Sequence, residues 1–482
     1  MPLSSAVAIV LALAWADLAV PISHATAGCA ILAMLAGQAI LMLAQWCFTR
    51  RFLVQLRAGG YQTRHASVVV KRMQQRLQWF GTLGALALLI GLDWCHLVRA
   101  WAWAHAVPLA DDLLVVLPVL VPLLIGWSFF YDIQDSLPAV HGPEAMPVTS
   151  NRFHYVISEL RRQLALLLIP LGLMLAMQDG ARLALPGLLD GAQAGAFWLA
   201  AGALLFLIFP LTLRAALSTE RLPTGPLRDR LERLTSLAGA HVTDIRVLNT
   251  RDGAANAAVA GPLRALRYVF LTDSLLARLS DDEIEAVFAH ELGHVRHRHL
   301  ALRLAVGFAP CATWLAARDW LLAQAAAFPV ARIEPGEAVR AALGANPLDW
   351  CALGLIALAT ACGFIWCSRR WEHEADLFAC RLLDRRLRTL DRDAAATDGY
   401  ARFAAALERL AAVNGQASAR NGWQHASLER RVEFLRCATI CPGFAARFRR
   451  RTLLVGSLLV GLAAGGLLAI GWSIVRQYAT TP

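Results

Sequence analysis

Long apolar runs constrain this chain more than anything else in it. A stretch of about 20 apolar residues placed in hydrocarbon has to satisfy its own backbone N–H and C=O groups, and a helix is the form that does so. Candidate spans are Ala6 to Val20, Gly28 to Phe48, Phe80 to Val98, Leu113 to Tyr131, Leu164 to Met177 and Ala196 to Leu213, then Leu304 to Ala331, Trp350 to Cys367 and Leu453 to Val475. The fifth is short enough to be read as re-entrant. With 57% hydrophobic residues in 482 and a mean hydropathy of +0.49, the chain reads as a mainly α, polytopic membrane protein. Its first run has neither a basic segment before it nor a small-residue cleavage site after it, so it reads as a retained span and not a signal peptide.

The formal net charge is +11. Nucleic-acid binding is one reading of such a balance, but the arginines flank apolar segments and no nucleic-acid motif accompanies them, so the charge reports orientation instead. The loop after the second span carries Arg50, Arg51, Arg57, Arg64, Lys71, Arg72 and Arg76, which places it in the cytoplasm, and six crossings return the chain there near Arg214. Asp93 and His96 lie at the end of the third span, within reach of the headgroups, and Pro118 and Pro122 predict a kink in the fourth. Gly461 and Gly465 give the last span a GxxxG face. The ten Cys lie mostly in apolar runs without metal-type pairing and read as buried, reduced thiols. Richness in Ala, Leu and Arg with a single Lys suggests a bacterial source, hence an inner-membrane location.

From Arg214 to Leu300 the chain is soluble in character. Val242 to Leu248 and Ala265 to Leu271 read as strands, and the small residues Ala254 to Ala260 as a sheet edge able to bind an extended peptide by strand addition. Thr272 or Asp273 caps a short helix, Ser274 to Leu279. Ser280 and Glu283 then form a capping box, and Ile284, Val287, Phe288, Leu292 and Val295 recur at helical spacing. On that helix His290 and His294 project from one face, where both imidazoles reach one divalent ion, with Glu291 beside them. This is the HExxH pattern, in which two His bind zinc and the Glu is a general base toward a water on the metal. Gly293 is expected to leave the metal face uncrowded. Three fixed positions in five turn up by chance in about one chain in a hundred of this length, so the capped amphipathic helix around them carries the reading.

Past the next two apolar runs the chain reads SRRWEHEADLFACRLL from Ser368. If the HExxH helix continues unbroken, His294 lies only roughly 15 Å from the following span. Glu372 is five residues beyond the end of the second apolar run, about as close to the interface. A carboxylate arriving there on a second helix is the third ligand of a His, His, Glu site with its fourth position left for water. His373 is a rival ligand. Asp376, one turn after Glu372, shares its face and would orient a ligating imidazole, while Glu374 points elsewhere.

Together, AHELGHVRHRH, a hydrophobic hairpin, SRRWEHEAD and HASLERRV resemble the integral-membrane gluzincin peptidases that include HtpX-like proteases and the type I CAAX prenyl protease. The resemblance covers about 214 to 451. It implies a cytoplasmic zincin-type α+β metallopeptidase domain, a small sheet plus the HExxH helix, split by a transmembrane hairpin. The division is then an N-terminal membrane domain of about six spans over 1–213, a first peptidase half over 214–301, the hairpin over 302–367, a second half over 368–451, and a last span and tail over 452–482. One Zn2+ per chain is implied, bound by His290, His294 and Glu372, with Glu291 as base and Asp376 in support. The resemblance also implies that Asn256 and Ala257 bind substrate on the edge strand, and that His425 and Arg431 steady the oxyanion or the site around it. Two residues depart from the family pattern: His373 where an aromatic is usual, and Ala426 where a Pro is. The implied partners are a protein or peptide substrate, membrane-associated, and the lipid bilayer, with no nucleic acid. Membrane-protein quality control is the leading expectation for the activity. CAAX-type processing, and a membrane sensor acting through one regulated cleavage, are the alternatives.

Overall fold

In a computed structural model of the chain the described residues are 3–16, 27–58, 63–141, 151–185, 187–189, 191–217, 219–249, 254–325, 347–390, 398–414 and 428–480. They form two compact units, Met1–Pro186 with Glu334–Pro347, and Gly187–Ile333 with Leu348–Pro482. The first unit holds α1 (Leu3–Ala16), α2 (Ala27–Arg57), α3 (Thr63–Gly91), α4 (Trp94–Arg99), α5 (Ala102–Ala106), α6 (Ala110–His141), α7 (Arg152–Gln163) and α8 (Ala165–Ala184). The chain continues with α9 (Gly191–Ala216), β1 (Thr219–Arg221), α10 (Pro226–Leu237), β2 (Asp244–Leu248), β3 (Ala257–Ala260), β4 (Tyr268–Thr272), α11 (Asp273–Arg278) and α12 (Asp281–Arg296). It ends with α13 (His299–Ala325), α14 (Pro347–Leu390), α15 (Asp398–Val413), α16 (Leu428–Ile440) and α17 (Pro442–Thr480). Among the described residues α2, α6, α8, α9, α13 and α17 are long and apolar enough to cross a bilayer. The chain is a mainly α, multi-pass membrane protein with a small mixed sheet.

Several membrane elements differ from the sequence expectation. The third span does not reach Val98: α3 ends at Gly91, Asp93 adopts a left-handed backbone with φ 53°, and α4 starts afresh. Asp93 is buried within the protein and pairs with His96 Nδ1 at 2.5 Å. A carboxylate taken out of water needs such a partner. The fifth span is α8, 20 residues long and continuous through Pro170, which suffices for a hydrocarbon core. In α6 Pro122 has no N–H to give to the carbonyl of Pro118, and Gln38 Nε2 of α2 donates to that oxygen at 3.0 Å.

The last helix packs on α13 through Gly456 and Gly466, where an added Cβ would meet Leu302 Cδ2 at 3.4 Å and the Ala312 carbonyl carbon at 2.8 Å. Gly461 and Gly465, the expected GxxxG pair, have nothing within 4 Å. Apolar side chains gain nothing by leaving lipid, so the seam forms where small residues let backbones approach. Val455, Leu459 and Ile470 extend it.

The sheet has the order β1-β2-β4-β3, with β1/β2 and β3/β4 antiparallel and β2/β4 parallel. Strand β4, YVFLT, is buried at every residue, as an inner strand of β-branched and aromatic residues should be. Strand β3 lies at an edge, within the small-residue stretch expected there. The strands start later than their patterns predict, β4 because Arg264–Leu266 is a 3-10 turn. Helices α10, α12, α14 and α15 join the sheet in one core that includes Leu231, Leu271, Phe288, Leu292 and Phe403. Each such side chain contributes roughly 1.5–3 kcal/mol by burial, and together they hold α12 against β3.

Candidate active site

Helix α12 starts where its capping box predicts. Ser280 Oγ accepts from the Glu283 N–H, and Glu283 Oε2 accepts from the Ser280 N–H at 2.7 Å. Asp281, Asp282 and Glu283 occupy the first turn, where the helix dipole favours carboxylates. Arg230 of α10 braces this turn, 2.9 Å from the buried Glu285 and paired with Asp282. Every residue from Ile284 to Val295 is buried. The two imidazoles and Glu291 are therefore largely shielded from water, only 5–8% exposed.

The helix does not run on into the next span. It ends at Arg296, Arg298 takes φ 56°, and α13 begins at His299. An unbroken helix would put His299 about 140° round the axis from His294. The corner at Arg298 instead folds the His299 ring back, and the two Nδ1 atoms lie 2.9 Å apart.

Glu372 arrives on α14, the same helix that carries the apolar run 350–367. Gly293 makes that approach feasible: a Cβ there would lie 2.9 Å from Ala375 Cα and 3.1 Å from its carbonyl oxygen. The glycine thus admits a helix backbone, where the sequence pattern had suggested an uncrowded metal face. His290 Nε2 and His294 Nε2 face each other at 3.2 Å. Glu372 Oε2 lies 3.5 Å from the first and Oε1 3.4 Å from the second. Glu291, His290 and His294 each offer a ligand atom within 4.8 Å of the others. A tetrahedral ion with bonds of about 2.0–2.1 Å sets its ligand atoms roughly 3.4 Å apart, so two imidazoles and a carboxylate at these separations fit one zinc-class ion with a position left open.

Each imidazole is held from behind. His290 Nδ1 lies 2.8 Å from Asp376 Oδ1, and Arg431 forks onto the same carboxylate with Nε at 2.8 Å and Nη2 at 2.5 Å. Burial opposes the charge of Asp376, but Arg431 and His290 outweigh it and hold the carboxyl well below the usual range. Phe403 stacks on the His290 ring at 6.0 Å. His294 is held through His299, whose Nε2 lies 3.1 Å from Glu374 Oε2. With the His294 Nε2 lone pair kept toward the donor centre, its Nδ1–H donates to His299 Nδ1, and His299 Nε2–H donates to Glu374. His299 is fully buried between Trp371 and His297, each ring 5.6 Å away. Two imidazoles at this separation do not both carry charge. Burial pushes His294, backed by a neutral ring, down to about 4.

Glu291 faces the sheet. Its Oε2 accepts the N–H of Val259 at 2.9 Å. Burial pushes its carboxyl above the ordinary value, with Glu372 adding to the rise and His290 opposing it. The Asn256 carbonyl accepts from the Thr272 N–H at 3.0 Å, so residues 256, 258 and 260 turn their polar groups to β4 and residues 257 and 259 turn theirs outward. The Asn256 side chain caps the Ala257 N–H at 2.9 Å.

The structure brings His290, Glu291, His294, Glu372, Asp376 and Arg431 into one cluster, and sets Ala257 at the start of the adjoining edge strand and Asn256 immediately before it. His373 points away from it: its ring stacks on Phe434 at 4.2 Å, doing what the usual aromatic would do. His425 lies outside the described residues. Two residues that sequence reasoning passed over, His299 and Glu374, complete the support of His294. Their signal was the pair of extra histidines in VRHRH, which acquires meaning only once the chain turns at Arg298.

Residues 221–436 match the model of peptidase family M48. Proteins named protease HtpX homolog share shorter stretches. That of Aeropyrum pernix is 43% identical over 63 residues, 13% of this chain and 20% of the relative. For Picrophilus torridus the figures are 48% over 59 residues, 12% and 19%, and for Helicobacter pylori 42% over 52 residues, 11% and 17%. The chain thus spans about a fifth of the length of the curated relatives it matches. The crystal structure of S. mikatae Ste24p is 17% identical, with a TM-score of 0.43 over 84% of this chain and 98% of that chain.

Proposed function

We propose that this chain, which carries a peptidase M48 domain over residues 221–436, is a membrane-embedded zinc endopeptidase that cuts protein substrates at the cytoplasmic face. The observation that carries the reading is the meeting of three donors from two helices, two Nε2 atoms 3.2 Å apart and a carboxylate 3.4 and 3.5 Å from them. In this reading His290, His294 and Glu372 hold one Zn2+. When bound, the ion supplies Lewis acidity, acidifying a water and polarising the scissile carbonyl.

The chain's own groups do the rest. Glu291, its carboxyl raised by burial, takes the proton of the attacking water and hands it to the leaving amine. Its bond to the Val259 N–H fixes it against the edge strand. An extended peptide added along β3, donating to the outward carbonyls of Ala257 and Val259, whose N–H groups are held by Asn256 and Glu291, then runs past the base. Arg431 acts through Asp376, orienting His290, because its guanidinium is already committed to that carboxylate. His425 is the proposed partner of the oxyanion.

The peptidase domain would comprise 214–301 and 368–451, interrupted by a membrane hairpin over 302–367, with 1–213 and 452–482 as the remaining membrane parts. The Arg-rich loop around Arg50 and Arg51 supports a cytoplasmic active site, in a bacterial inner membrane. Four arginines stand in the wall of the cavity beside the site, a charged surround for a prenyl chain, which favours quality control of membrane proteins over CAAX-type processing.

Metal analysis of the detergent-purified protein tests the reading. One zinc per chain is expected for wild type and Glu291→Gln and little for Glu372→Ala, with cleavage of an unfolded membrane protein by wild type alone. A wild type free of metal, or a Glu372→Ala chain that keeps it, removes the assignment. Faster cutting of a farnesylated C-a-a-X peptide would transfer the substrate to the processing alternative.

A further inference from the structure

A cavity of about 530 Å³ has His294 in its wall and is lined by Arg264, Arg267, Arg296 and Arg298 together with His241 and Leu300. No Asp or Glu is among its described lining residues. Arg267 shows what that means. Half-buried, it donates from Nε, Nη1 and Nη2 to the backbone carbonyls of Gly261, His241 and Pro262 at 3.2, 3.2 and 2.6 Å. Those bonds lock the guanidinium in place and leave two of its five N–H groups to spare, yet none of them balances its charge. Burial, and then the neighbouring Arg264 and Arg298, lower its pKa from the ordinary arginine value. A partly buried cation surrounded by like charges is relieved by an anion from outside.

Position decides which anion. Leu300 and Ala301 in the cavity wall belong to the first turns of α13, and His299–Arg318 is long and apolar enough to cross a bilayer. Leu263 stands in the same wall, 47% exposed. The arginines therefore ring the point where an apolar helix leaves water, the layer in which phosphate headgroups lie.

We propose that this cavity binds the phosphate of an anionic phospholipid headgroup and so seats the peptidase half on the bilayer beside His294. Inorganic phosphate has the same chemistry. An acidic stretch of substrate is the macromolecular rival, and the apolar, membrane-entering wall speaks for the lipid. The inference requires α13 to be a span but neither a metal nor cleavage, so it and the peptidase reading fail separately.

Native mass spectrometry of the full chain, released from detergent with dioleoylphosphatidylglycerol or dioleoylphosphatidylcholine present, tests it. The comparison is with Arg264→Gln/Arg298→Asn, both exposed positions, with Asn chosen because it tolerates the left-handed backbone at 298. Wild type should retain the glycerol lipid about tenfold over the choline lipid, and the double variant should lose that preference. An undiminished preference in the variant overturns the proposal. Excess inorganic phosphate that displaces the glycerol lipid from wild type alone supports it. Phosphate binding without any lipid preference, or a variant that loses cleavage of acidic peptides while keeping its lipid adducts, overturns the lipid assignment.

Discussion

The two imidazoles of the candidate metal centre are held by different means. His290 rests directly on a carboxylate that an arginine locks, whereas His294 rests on a neutral ring that in turn rests on a carboxylate. Charge on Asp376 therefore acts at first hand on His290, raising its basicity, while Glu374 governs His294 mainly by fixing its orientation. All three carboxylates come from one helix. Glu372 and Asp376 share a face of α14, and Glu374, about 200° round from Glu372, reaches His294 only because the chain turns at Arg298 and brings His299 between them. A single helix so supplies the third candidate ligand and both rear anchors.

Glu291 belongs to neither support and calibrates the contrast. Glu291→Gln should lower the cleavage rate by about a hundredfold to ten-thousandfold with metal content unchanged, measured on the same preparation. Metal loss in that variant would put Glu291 inside the binding set. Next in size is Asp376→Ala, which removes the direct support and leaves Arg431 buried without its partner. Metal affinity should fall about 10- to 100-fold by competition titration, and the fold should lose about 3–5 kcal/mol.

His299→Ala removes the indirect support, and its affinity loss should be smaller, about tenfold or less, with a changed visible spectrum of the cobalt-substituted protein. Equal losses in the two variants would mean that the two imidazoles are supported alike. The smallest effect is with pH. Burial lowers His294 and His297 to about 4, so an unfolded chain takes up protons before the folded one as pH falls from the ordinary histidine value. Stability should thus rise with pH between about 4 and 6.5, on the order of 1 kcal/mol per unit. Asp376 is depressed, so its contribution is complete above about 3.9 and does not vary in that window. The rise with pH comes from the His294 side; His290, raised to about 10, and Glu291, raised by burial, contribute with the opposite sign, and flat or falling thermal stability of the metal-free protein from pH 4 to 6.5 would contradict the prediction.

Much of the peptidase half was legible in the sequence because its signals are local. A capping box, a 3.6-residue period and an i, i+4 pair of histidines act within a few residues, and α12 forms where they say. Small residues marked the sheet edge for the same reason. The membrane helices were legible as runs, but not in their faces: every side of a helix in lipid is apolar, and Gly461 with Gly465 is indistinguishable by pattern from Gly456 and Gly466. Nor does any local signal announce a left-handed Arg298, since arginine does not favour that backbone; Asp93 is of a type that tolerates it, but nothing beside it in the apolar run marks the turn.

By itself the sequence determined which residues bring the chemistry: two imidazoles on one helix face, a glutamate beside them and an acid-rich helix after an apolar run, all set by short-range periodicity and hydrophobicity. Only the tertiary structure decided how they meet. Gly293 makes room for the Ala375 backbone, Arg298 turns the chain so that His299 backs His294, and Val259 steadies Glu291. Those contacts join residues far apart in the chain or across a turn, and they depend on the packing of whole helices, which no short stretch of residues encodes.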